Sequence, residues 1–152
     1  MKLAEALVLR ADIKRRIEQL RGRLTASVLI QEGDQPPEDP QALLTELDEL
    51  LGQLAGLIIA INQTNIQTAL ADGATLTASL AHRDVLDLRL DIIGAVANTA
   101  AQRLDRYGRS EIRRVATVDV AALRKEIDRL AQQRRELDTA IQATNWTVDL
   151  AE

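Results

Sequence analysis

This sequence predicts an all-α fold, an antiparallel four-helix bundle, and three observations carry that expectation. Residues 39–65 and 119–145 align without a gap at an offset of 80 positions, with 12 identities in 27. Apolar side chains recur at three- and four-residue steps along four long stretches. Phe is absent, Trp146 and Tyr107 are the only aromatics, and 7 Gly and 3 Pro leave too little punctuation for a many-stranded fold. The 152 residues are enough for one domain, 1–152, with an internal repeat at 1–72 and 73–152.

The first helix is expected from Leu3 to Ser27. Leu3, Ala6, Arg10, Ile13, Ile17, Leu20 and Leu24 form its seam, which Arg10 interrupts. Gly33, Pro36, Pro37 and Pro40 then forbid a continuous helix. Asp39 is placed as the N-cap of the second helix and Pro40 at its first position, where the missing N–H costs nothing. That helix is expected to reach Leu70, before the Asp72-Gly73 turn signal, and its wide apolar face should make it the most buried. Thr75 to Ala81 is ambiguous, one reading being a short helical turn capped by Thr75 or Thr77. The third helix is expected from Arg83 to Asp105, with Leu86, Leu90, Ile93, Val96, Ala97, Ala100 and Leu104 inward. The fourth starts at the Asp119 cap and runs to Trp146, in the register of the second, with Arg134 on its seam. Val28 to Gln31 and Ile112 to Thr117 have some strand character, and a two-stranded ribbon between them would close one end.

Composition narrows the function. The net charge is −4, a poor footprint for nucleic acid or an anionic membrane surface. No cysteine means no disulfide and no thiol chemistry. The opening residues lack a signal peptide's apolar run, and Leu54 to Ile61 is too short to cross a bilayer, so a cytoplasmic protein without membrane or nucleic-acid partners is expected.

Antiparallel pairing would gather the two Thr-Asn pairs at one end. Asn62, Thr64 and Asn65 would then approach Leu3 to Arg10, while Thr144, Asn145 and Trp146 would approach His82, Arg83 and Asp84. Two readings stand side by side. One is a polar network that fixes register. The other is a small-anion pocket formed by Arg10, Asn62, Asn65, His82, Arg83, Asn145 and Trp146, with an arginine as clamp. Trp146 either plugs the bundle end or anchors a subunit contact. Asp84, Asp87 and Asp91 stand at i, i+3 and i+7, a spacing that would suit Mg²⁺ or Mn²⁺ in a helical nucleotide hydrolase. The alternative is a salt-bridged solvated face, with Arg83 and Arg89 as partners. No P-loop, dinucleotide fingerprint or nucleophile–base set is present, so no cofactor is expected.

The opening M-K-L-A-E-A-L-V-L-R-A-D-I, together with I-N-Q-T-N at 61–65, L-A-H-R-D at 80–84 and N-W-T-V-D-L at 145–150, resembles the septicolysin-like family of small bacterial helical proteins. That resemblance implies an all-helical fold and brings no catalytic residues with it. The expected function is a non-enzymatic, self-associating structural or interaction module. Its alternatives are a metal-dependent phosphohydrolase using Asp84, Asp87 and Asp91, and a small-anion binder at the Thr-Asn end.

Overall fold

The computed structural model of the chain describes residues 1–102 and 114–152. Its helices are α1 (Leu3–Ser27), α2 (Pro40–Gln67), α3 (Leu76–Ala101) and α4 (Val120–Thr147). No strand forms among the described residues; two isolated bridges join Lys2 to Asp149 and Ala69 to Thr75. The chain divides into two compact units, Met1–Thr75 with Gln142–Glu152, and Leu76–Ile141.

In the first unit α1 packs on α2. The Lys2 N–H donates to the Glu5 carboxylate at 2.7 Å and opens α1. Leu3, Ala6, Ile13 and Leu20 are buried, the face that the spacing predicts. Asp39 accepts from the Gln41 N–H at 3.1 Å, with Pro40 following it, so α2 begins where its cap dictates. Asp39→Ala is expected to cost about 1 kcal/mol of stability, measured by denaturant titration. Arg23, near the end of α1, pairs with Glu38 at 2.5 Å and with Glu46 at 3.3 Å, near the start of α2. The hydrogen bond with Arg23 holds Glu38 below its ordinary pKa, and the same bond raises Arg23.

Two helix boundaries and the expected ribbon differ from expectation. Helix α2 stops at Gln67 because Thr68 is extended; the Leu70 N–H then donates to Ala74 O at 2.8 Å across a tight turn. Gly73 holds φ +83° in that turn, a conformation other residues rarely adopt. Helix α3 begins at Leu76 rather than Arg83. Burial decides this: Leu76 and Ser79 are both enclosed, so 76–82 is an ordered part of the helix. Its expected end at Asp105 lies outside the described residues. Finally, the ribbon is absent from its first half. Val28 keeps helical angles as the α1 C-cap and 29–31 are irregular and exposed, so no enclosed face supports a strand there. Ile112 and Arg113 lie outside the described residues.

The first unit also ties together the two ends of the described chain. The Leu3 N–H donates to Val148 O at 3.0 Å and the Leu150 N–H to Met1 O at 2.9 Å. Lys2 pairs with Asp149 at 2.9 Å. In the second unit α3 and α4 meet through Arg83 with Asp138, Asp87 with Arg134 and Arg89 with Glu126. These contacts climb α3 as they descend α4.

Candidate functional site

The candidate polar residues fall in both units: Arg10, Asn62, Asn65, Asn145 and Trp146 in the first, His82 and Arg83 in the second. In the first unit the end of α2 meets the segment after α4. Thr64, buried, accepts from the Ala151 N–H at 2.8 Å and donates to Ala60 O at 2.8 Å. Asn145 is buried, Asn65 and Arg10 are half-buried, and Asn62 is exposed. Trp146 is 61 % exposed, so it does not plug an end: its neighbour Asn145 takes the inward position on the helix and turns the indole outward. Thr64→Val keeps the shape but removes the acceptor of a part-buried amide. A loss of roughly 1 kcal/mol is expected, with faster hydrogen exchange at the Ala151 amide as the specific readout.

In the second unit two acids of α3, Asp84 and Asp87, are engaged by arginine. Arg134 donates to Asp87 through Nε at 2.9 Å and lies 3.6 Å from Asp138. Arg83 lies 3.4 Å from both Asp138 and Asp84. Arg89 turns away from the α3 acids and pairs with Glu126 at 3.2 Å, which Arg129 also holds. The charge of Arg134 on its helix seam is thus answered from α3. Among the described residues no group of three metal-ligating side chains is arranged to hold a metal ion. Asp84 and Asp87 are thus in ion pairs, whereas Asp91 and His82 stand exposed on the same helix.

The hydrogen bond from Arg134 holds the Asp87 carboxylate below its ordinary pKa. A depressed carboxylate stabilises the fold fully above its unfolded pKa and loses that contribution as pH falls through the folded value. Both side chains are partly exposed, so the effect is small. Asp87→Asn is expected to lower Tm slightly at neutral pH and to leave a curve that falls less on acidification; thermal melts across that range check it.

A different surface stands out on α3. Leu86, Leu90, Ile93 and Ala97 point inward to varying degrees, but a second apolar row is exposed on the other side. Val85 is 63 %, Leu88 60 % and Ile92 55 % exposed. Ala81 begins this row, and Ala95 and Thr99 continue it. Toward its end the row borders a cavity of about 520 Å³ that Ala95, Val96 and Thr99 share with Arg114, Val115 and Val118. Val96, expected inside, is on this exposed side.

Residues 10–150 match the model of a family of unknown function, DUF6847. The chain belongs to this family. A solved structure, described as that of a functionally unknown conserved protein from Corynebacterium diphtheriae, is similar over 99 % of this chain and 98 % of that one. The identity is 42 % and the TM-score 0.91. No curated protein matches. Neither similarity supports the septicolysin-like resemblance, which has only its motifs behind it. In this DUF6847 chain no described helix is long and apolar enough to cross a membrane.

The outer row of α3 is what a single-seam reading of this DUF6847 sequence misses. Its signal is present in V-L-D-L-R-L-D-I-I at 85–93. That stretch holds apolar residues for two helix faces, and one neighbouring helix covers only one of them.

Proposed function

We propose that this protein is a non-enzymatic structural or interaction module of the cytoplasm that associates with itself. Its helices form two copied antiparallel hairpins, and the outer row of α3 is an apolar surface open to a partner, as are Leu44, Leu51, Ile59 and Ile66 on α2. The observation that carries this reading is the exposure of Val85, Leu88 and Ile92 in one line along a helix whose opposite face is already engaged. Isolated exposed apolar residues are ordinary, but a continuous row marks an interaction surface. Helix α1 supplies a comparison. Val8 is exposed there too, but the line through it at three- and four-residue steps holds Glu5, Asp12, Arg15 and Gln19. That face of α1 is therefore mostly polar. Small-anion binding and metal-dependent hydrolysis have less behind them, because Asp84, Asp87 and Arg83 are already in ion pairs within the chain. Light scattering over a dilution series tests the reading. A mass above that of one chain, falling on dilution, is expected; one chain's mass at every concentration would overturn it.

A further inference from the structure

We infer that the α3 helices of two copies pair in parallel and in register, with Asp84 of each copy against the partner's Arg89. This rests on the self-association proposed above and adds the partner's orientation and the charges that select it.

The exposed row advances by four, three, four, three and four residues from Ala81 to Thr99. That is the a/d alternation of a coiled-coil seam. With Val85 at a, the a positions are Val85, Ile92 and Thr99, and the d positions are Ala81, Leu88 and Ala95. Every one of these six is exposed, while positions b, c and f across residues 83–100 are all at least half-buried. The seam therefore lies opposite the face that α3 turns inward. The a positions are all β-branched and Leu88 stands at the central d, a combination that among parallel assemblies favours two strands.

The flanks decide the direction. Asp84 and Asp91 occupy g, and His82 and Arg89 occupy e. In a parallel pair each g position meets the partner's e position five residues on, so Asp84 reaches the partner's Arg89 twice over by symmetry. In an antiparallel pair g meets g and e meets e, which sets acid against acid. Asp84 is 71 % and Arg89 57 % exposed as side chains, so both can extend to a partner. Each also has a contact within its own chain, Asp84 with Arg83 and Arg89 with Glu126, and the pairing adds to these rather than replacing them.

The chain has no cysteine, so single introduced thiols report cleanly. Ala81→Cys and Ile92→Cys lie about 16 Å apart along the helix at 1.5 Å per residue. In a parallel, in-register pair each variant alone forms a disulfide-linked dimer on mild oxidation, because every seam residue faces itself. An antiparallel pair allows at most one of the two to do so. If both variants sediment as dimers but only one or neither cross-links, the parallel register is wrong and the self-association stands. If the uncross-linked protein sediments as a monomer, both fail.

Charge reversal supplies an independent arm. Asp84→Arg alone sets a new guanidinium against the partner's Arg89, and Arg89→Asp alone sets two acids together. Each homodimer should weaken roughly tenfold, two symmetric pairs being affected. An equimolar mixture of the two variants should regain wild-type affinity as heterodimers, and this recovery should fade in high salt. A mixture no tighter than either variant would overturn the pairing of Asp84 with the partner's Arg89.

Discussion

Ile92→Asp is expected to convert the associated protein to monomers. Ile92 sits in the middle of the exposed row of α3, where a self-associating pair would bury it against its counterpart. Removing a buried interface anchor costs about 2 kcal/mol or more, roughly thirty-fold in Kd. Aspartate adds two like charges at the same place, which a closely packed seam cannot solvate. The loss should therefore exceed that of Ile92→Ala. Sedimentation equilibrium of wild type and both variants gives the ordering. The helix content of the Ile92→Asp monomer should match wild type, because a substitution on an exposed face costs little within one chain. Any fall in Tm should vanish at low protein concentration, where wild type too is dissociated.

Leu130→Ala is expected to act on folding itself. Leu130 is 1 % exposed on α4, in the second unit, and is among the most enclosed side chains of the chain. Truncating such a leucine removes its transfer free energy and leaves a void, for a cost of roughly 2–5 kcal/mol. At about 2–4 °C of Tm per kcal/mol in a domain of this size, calorimetry would show a large shift. Leu29→Ala is the contrast. Leu29 is 86 % exposed in the break after α1, and its loss should change stability by less than about 0.5 kcal/mol. Equal losses for the two leucines would contradict the burial described here.

Features fixed by neighbours in sequence were the most legible. The cap of α2 followed from Asp39 and Pro40, because a side-chain oxygen meets an amide only two residues on. The inward face of α1 followed from its spacing for the same local reason. The start of α3 did not, since Thr75, Thr77 and Ser79 have modest helix propensity. What orders that turn is the burial of Leu76 and Ser79. Nor could spacing supply the partner of Arg134. It places the arginine on a seam but not Asp87 across from it. The plug reading of Trp146 fails for a physical reason: a large aromatic is usually at least half enclosed, yet the inward position there belongs to Asn145. The outer row of α3 was legible in principle. Its apolar residues are too many for one face, and counting faces separates the two rows.

The claim on which the rest depends is that this row is covered when the protein is at its working concentration. Methyl NMR in the presence of a soluble paramagnetic probe measures that coverage residue by residue. If two copies meet there, the methyl signals of Val85, Leu88 and Ile92 stay sharp while those of Val28 and Leu29 broaden, and dilution or Ile92→Asp exposes Val85 and Leu88. If all five signals broaden alike in the undiluted wild-type protein, the outer face of α3 is bare and the proposed interface does not exist.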